Sequence, residues 1–425
     1  MRSIIHKAIA ACLAVAIGTS TFAQPVKVKV EKTKDGFTLI RNGKPYFIKG
    51  AGGTSYMDRL AKYGGNSIRT WDTHNGDEIL SNAQKLNLTV TMGLNVARER
   101  HGFNYDDTVA VHQQLEKLRQ EVIKYRNSPA LLIWGIGNEL NLDYKNPKVW
   151  NAVNDIAKMI HQEDPNHPAT TMLAGVNPAV VANIKERCPD LDLLSVQVYG
   201  GLASVPDQLR KAGWEGPYMV TEWGPTGHWE GPQTPWKASV EETSSQKSAV
   251  YKSRYEASVK VDKHCLGSYV FLWGQKQERT PTWYGLFTEK GEENEVVDVM
   301  QYLWTGKWPE NRAPHLDSLT LDGKHVLDFV TLKPGKAYLA KVYVHDPNGD
   351  KLTARWELLP ESTDLKQGGD RESRPQAITD AVTINNLNQA TIKTPEKEGA
   401  YRLFVYISDG HNKVATANFP FLVKL

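Results

Sequence analysis

Two glutamates carry the clearest chemical signal in this 425-residue chain. Glu139 ends the segment GIGNE and Glu222 sits in TEWG, each at the close of a short apolar run. A carboxylate in such a setting costs free energy unless something compensates it. Two that face each other can divide the work on one bond, one ionised as nucleophile and the other protonated as general acid and later base. The neighbouring apolar runs end in Arg69, Trp71, Asn138, Gln197, Tyr199, Trp223 and Trp273, which add a cation, hydrogen-bonding groups and aromatic faces. A cation beside one acid favours its ionised form, and that negative charge raises the pKa of the second acid. The plain structural alternative is two separately salt-bridged acids at the rim of a fold. Arg69 accounts for one of them but not for both.

The elements that must position these residues can be read from periodicity. Apolar runs at 47–51, 66–71, 88–95, 131–138, 169–174, 193–199, 218–223 and 267–273 alternate with helical patterns, among them 246–264 and a final helix at 294–303. Continuous apolarity marks strands covered on both faces, hence a parallel sheet. Eight such strands with eight helical connections predict an α/β architecture, a (β/α)8 barrel. In that architecture the site lies at the C-terminal strand ends, and the fourth and seventh strands, which carry Glu139 and Glu222, face each other. The residues before the first strand read as a hairpin, with turns at Asp35-Gly36 and Asn42-Gly43, covering the bottom of the barrel.

Pro309 and Pro314 bound a polar linker, after which short alternating strands separated by Asn, Asp, Gly and Pro predict an immunoglobulin-like β-sandwich over 312–425. The polar segment 359–378 reads as a loose loop within it. Asp346, Asn348, Asp350 and Asp409 offer oxygen ligands of the kind calcium takes, and they are equally ordinary turn formers. The turn-former reading is preferred, and no metal site and no cofactor is assigned. The expected organisation is therefore a signal peptide at 1–23, a barrel with its hairpin at 24–311, and the sandwich at 312–425. Every site residue would come from the barrel, so removing 312–425 is expected to leave the site in place.

Residues 1–23 combine a positive start, a short apolar stretch and small residues around Ala23, which predicts a secretory signal cleaved after Ala23 and a secreted or periplasmic protein. Losing them removes Arg2 and Lys7 and lowers the formal net charge from +3 to +1. That balance argues against a nucleic-acid partner, and no later run is long enough to span a bilayer. Cys188 and Cys265 then remain, read as two separate buried thiols. Of 12 Trp only Trp356 lies beyond residue 308. Trp71, Trp223, Trp229, Trp236, Trp273 and Trp283 fall on or just after predicted strand ends, where sugar C–H faces could stack on them and His74 and His228 could bond hydroxyls. His101 and His112 read as surface residues.

With these residues in place, GIGNE and TEWG resemble the paired signatures of clan A retaining glycoside hydrolases. The barrel over 36–308 is similar to that of glycoside hydrolase family 2, without the jelly-roll domain that usually precedes it. The resemblance implies Glu139 as general acid/base and Glu222 as nucleophile. It also implies Asn138 on the sugar 2-hydroxyl, Tyr199 and Arg69 on the nucleophile, and Trp273 as the floor under the cleaved sugar. Gln197 departs from the related cellulases, where a His stands two residues before the Tyr. A barrel followed by an immunoglobulin-like domain also resembles glycoside hydrolase family 158, which implies cleavage of β-1,3-glucan, read here as endo-acting on a polysaccharide or oligosaccharide partner. The alternatives are an exo-acting β-glucosidase, β-galactosidase or transglycosylase of the same clan and, in a different class, a non-catalytic glycan-binding protein. The last predicts loss of one acid, and both are present.

Overall fold

The computed structural model describes residues 26–425, so the expected signal peptide lies outside the described residues. The chain opens with a three-stranded antiparallel sheet, β1 (Val28–Lys32), β2 (Phe37–Arg41) and β3 (Lys44–Tyr46). Val28 and Leu39 of this sheet pack with Ile48, Leu193, Met219, Leu266 and Tyr269 at the barrel bottom, as the hairpin reading expects.

Eight parallel strands follow and close on themselves: β4 (Ile48–Gly52), β5 (Ser67–Arg69), β6 (Thr89–Leu94), β7 (Leu131–Ile136), β8 (Ala169–Ala174), β9 (Leu194–Gln197), β10 (Tyr218–Trp223) and β11 (Cys265–Val270). β5 to β11 are buried along their whole length except for the last residue of β8, which is why they read as continuous apolar runs. The connecting helices include α1 (Met57–Lys62), α2 (Gly76–Lys85), α3 (Thr108–Tyr125), α4 (Lys148–Glu163), α5 (Pro178–Arg187), α6 (Val205–Lys211), α7 (Ser244–Ala257) and α8 (Glu295–Thr305). Their starts follow from local chemistry. Asp107 and Asn177 cap α3 and α5 through side-chain oxygens, Pro178 pre-sets the first turn of α5, and Thr243 with Gln246 forms a capping box on α7.

The C-terminal residues form two packed antiparallel sheets. One comprises β12 (His315–Leu321), β14, β17 and β16; the other comprises β13 (Thr331–Leu332), β19, β18 and β15, with β13 alone running parallel to its neighbour. Here β14 is Ala337–His345, β15 Thr353–Pro360, β16 Val382–Asn386, β17 Gln389–Lys393, β18 Gly399–Ser408 and β19 Val414–Val423. Trp356 packs in the core between the sheets, as its alternating position suggests.

The sandwich is joined to the barrel by buried polar contacts rather than by a free linker. Lys413 donates to Glu293 at 2.7 Å and to Asp298 at 2.6 Å, all three side chains being buried. Ser244 and Ser245 at the start of α7 accept from the backbone N–H groups of Thr416 and Leu316 at 2.9 and 2.8 Å. The segment after β15, expected to be loose, instead lies against the barrel with Glu372 buried. Cys188 and Cys265 are free and buried, as expected. No helix among the described residues is long and apolar enough to cross a membrane.

Candidate active site

At the C-terminal end of β10, Glu222 receives three hydrogen bonds. Arg69 Nη1 donates to Oε1 at 2.7 Å, Trp71 Nε1 donates to the same oxygen at 2.8 Å, and the Tyr199 hydroxyl donates to Oε2 at 3.2 Å. These donors come from the ends of β5 and β9. Burial holds the Tyr199 phenol well above its ordinary pKa, helped by the Glu222 charge, so it remains a donor. Gly93 on β6 makes the Trp71 contact possible: a Cβ there would overlap the backbone carbonyl of Trp71.

Arg69 is fully buried and forks between two sites. Its Nη1 serves Glu222 and the carbonyl of Thr221 (3.0 Å), while Nη2 donates to Asn138 Oδ1 at 2.5 Å. Gln197 Nε2 donates to the same Asn138 oxygen at 2.7 Å. With Oδ1 taken by two donors, the Asn138 amide presents its NH2 group as the free donor, the polarity needed to bind a substrate hydroxyl oxygen.

Glu139 lies beyond the end of β7, in the left-handed conformation at φ 52°, two residues after Gly137 at φ 71°. Its backbone N–H is tied to the Met172 carbonyl at 2.9 Å. Among the described residues its carboxylate has no hydrogen-bond or ion-pair partner, and it lines the central cavity. Burial, and then the charge of Glu222, push its pKa up to about 7. The two acids therefore sit in different surroundings: Glu222 is held by three donors, one of them the Arg69 cation, whereas Glu139 is unengaged and pushed up by burial.

The cavity around them has a volume of about 1580 Å3, larger than the ~300–1,000 Å3 usual for small-molecule sites. Trp71, Asn138, Glu139, Tyr199 and Glu222 line it, together with Trp229 and Trp236 on the long segment after β10. Trp229 is 57% exposed, with its ring edge-to-face with Tyr199, and is the side chain best placed to stack on a sugar.

Two expected substrate contacts are corrected. Trp223 is fully buried and packs on Tyr251 and Tyr255 of α7, because successive strand residues point to opposite faces and Glu222 takes the inward one. Trp273 is only 1% exposed; its Nε1 donates to the Tyr56 carbonyl at 3.1 Å and its ring packs on Phe287 and Trp304. Phe271 and Leu272 line the cavity in its place. Trp283 is likewise buried, bonded to the Thr226 carbonyl. His74 is exposed and outside the cavity, whereas His228 lines it. Burial, and then Arg279 and Lys276, hold His228 down at about 4, so it is neutral, with Nδ1 against the Tyr284 hydroxyl at 2.8 Å.

Further lining residues escaped the sequence reading. Arg98 follows β6, and its Nε donates to the Asn138 carbonyl at 3.0 Å; Lys276 and Glu278 follow β11 and pair at 2.8 Å. A wider search past each strand end would have found these three. No local signal marks the rest: Glu361, Ser362, Leu365, Gln367–Asp370 and Tyr401 come from the sandwich and line the same cavity. The expectation that the barrel alone forms the site is therefore corrected.

In the sandwich, Asp346, Asp350 and Asp409 bring carboxylate oxygens within 4.8 Å of one another, the one group among the described residues with the donor set for a hard cation. The turn-forming role is explicit there: Asp346 Oδ1 accepts from the N–H groups of Asn348 and Asp350, and Asp409 Oδ1 from those of His411 and Lys413.

No family model and no curated protein matches the chain. Solved structures do. The chain is similar to a β-glucuronidase of Bacteroides uniformis, at 15% identity over 93% of this chain and 48% of that one, with a TM-score of 0.52. It is similar to a putative β-galactosidase of Bacteroides fragilis at 15% identity over 93% and 57%, with a TM-score of 0.50. A glycoside hydrolase family 2 β-galacturonidase of Eisenbergiella tayi, bound to galacturonate, aligns at 19% identity over 66% and 54%, with a TM-score of 0.52. The chain spans about half the length of these structures. At such identities the likeness shows the fold, the family 2-like barrel that GIGNE and TEWG suggested.

Proposed function

We propose that this protein is a retaining β-glycoside hydrolase acting at the ends of β-linked glycans. The observation that carries the proposal is the pairing of an unengaged Glu139, pushed up to about 7 by burial, with a Glu222 fixed by Arg69, Trp71 and Tyr199. Glu222 attacks the anomeric carbon and the C–O bond to the leaving group breaks, its oxygen taking the Glu139 proton. A glycosyl-enzyme ester on Glu222 results. Glu139, now ionised, takes a proton from water, which attacks the same carbon and releases Glu222. The free Asn138 NH2 supports a hydrogen bond donated to the sugar 2-hydroxyl oxygen.

End-wise action is favoured over the internal cleavage expected from sequence. The similar structures are named for single sugars, glucuronide, galactoside and galacturonide, and the cavity is walled by the sandwich as well as by the barrel. The exposed Trp229 beside the carboxylates supports more than one bound sugar, which keeps β-1,3-gluco-oligosaccharides, the substrate implied by architecture, first in the series to test. Secretion, and oligosaccharide as the partner, belong to the same proposal.

The test is a screen of nitrophenyl β-glucoside, β-galactoside, β-glucuronide and β-galacturonide with β-1,3-gluco-oligosaccharides, run on wild type and Glu222→Ala. Release from at least one substrate, abolished in the variant, is expected. Turnover that survives in Glu222→Ala contradicts the assignment, and binding without turnover supports the glycan-binding class instead.

A further inference from the structure

We infer that the sandwich segment 361–372 is a substrate-selecting wall, barring the cleft so that a β-linked chain reaches Glu139 and Glu222 by its end and not by its middle. The inference rests on the glycosidase reading and specifies how the same site chooses substrates.

The segment has no regular structure, yet it is fastened at both sides of the barrel mouth. After β11, the Glu372 carboxylate accepts from the Arg279 backbone N–H at 2.6 Å and from Arg279 Nη1 at 3.1 Å. Lys276 Nζ donates to the Gly369 carbonyl at 2.6 Å. After β6, Arg100 Nη1 donates to the Gln367 carbonyl at 3.4 Å, and His101 Nε2 lies 3.4 Å from Asp370. β11 and β6 are separated around the barrel by β4 and β5 only, so the segment forms a chord across that part of the rim, on the side where Trp71 follows β5 and lines the cavity.

The manner of fastening argues against a purely structural role. Ordering the backbone costs about 1–2 kcal/mol per residue, which a packing segment offsets by burying apolar side chains. This one leaves Leu365 51% exposed on the cavity and is held by polar contacts instead. Gly368 and Gly369, at φ 58° and 73°, take the left-handed conformation that glycine adopts without strain; a Cβ on Gly368 would strike the Arg100 guanidinium. Glu372, fully buried and outside the cavity lining, is a positioning residue for the wall.

The experiment uses the full chain in three forms: wild type, Glu372→Gln, and a variant with 364–370 replaced by Gly-Ser-Gly. Each is assayed on β-1,3-linked glucohexaose and on the nitrophenyl β-glycoside cleaved best. For the replaced form, kcat/KM on the hexaose relative to the aryl glycoside should rise at least tenfold, through KM and not kcat. Products should change from single sugars to internal fragments, with Glu372→Gln shifting the same way by less. Hexaose affinity, followed by tryptophan fluorescence in a Glu222→Gln background, should rise with it, a readout that needs no turnover. An unchanged ratio, product pattern and affinity in a folded variant overturns the wall, as does release of internal fragments by wild type. If wild type cleaves no glycoside while hexaose affinity rises in the replaced form, the glycosidase reading fails and the wall stands.

Discussion

Arg69 and Glu222 form a buried pair at 2.7 Å, and the same guanidinium holds Asn138 at 2.5 Å. One side chain thereby positions both the proposed nucleophile and the group that would bind the neighbouring hydroxyl. Lysine carries the charge but lacks the planar guanidinium whose two terminal nitrogens reach Glu222 and Asn138 separately. Arg69→Lys should lower kcat on the order of 10²–10³-fold, as loss of one preorganised donor does elsewhere. Arg69→Ala, which leaves an unpaired buried carboxylate, should also cost about 3–5 kcal/mol of stability. Steady-state kinetics with urea unfolding separates the two effects.

The pH dependence follows from Glu139, whose pKa of about 7 comes first from burial and then from Glu222. Turnover needs the protonated form, so kcat/KM should fall as pH rises through 7, and the fall should vanish for a dinitrophenyl leaving group that needs no acid. Stability has the same sign. Between an ordinary carboxyl pKa of 4.5 and about 7 the native state holds a proton that the unfolded chain has released, so this group's contribution is full below 4.5 and lost as pH rises through 7. The stability advantage of Glu139→Gln over wild type should therefore grow between pH 5 and pH 8, measured by denaturant titration at each pH.

Two tryptophans should respond in opposite ways. Trp229→Ala removes an exposed cavity face and should raise KM for oligosaccharides severalfold with stability changed by less than about 0.5 kcal/mol. Trp273→Ala empties a core site against Phe287 and Trp304 and should cost about 3–5 kcal/mol. Thermal unfolding alongside KM distinguishes the platform from the core residue.

Lys413 sits between Glu293 and Asp298 where the sandwich meets the barrel. Lys413→Ala leaves Glu293 with Arg59 and Tyr63 and Asp298 with Arg312 and the Ala313 N–H, so it should destabilise by less than the ~3–5 kcal/mol that an unpartnered buried charge costs. A chain ending at residue 311 loses the same cation and the cavity wall together, so it should be poorly folded rather than merely less soluble. Circular dichroism and unfolding of both forms check this.

How much of this was legible in the sequence depended on distance along the chain and on strand parity. Glu139, Glu222, Arg69, Trp71, Asn138 and Tyr199 all end buried strands, and the barrel's geometry brings strand ends together whatever the loops do. Trp223 misled because residue type was read without the alternation that turns every second strand residue away from the axis, and Trp273 because it lies past the end of β11, where Phe271 and Leu272 line the cavity instead. Apolar runs buried on both faces hide that parity. The wall at 361–372 was invisible for another reason. Its contacts with Arg100, Lys276 and Arg279 join residues far apart in sequence, and its polar, glycine-containing composition is the same as that of an unattached loop.

The central claim is double displacement at Glu222, and the anomeric form of the first product tests it most directly. Proton NMR of a fresh reaction on the best aryl β-glycoside should show the β-anomer first, with the α-anomer appearing only as the sugar mutarotates. An α-anomer signal in the earliest spectra would mean that water, not Glu222, attacks the sugar, and would contradict the account.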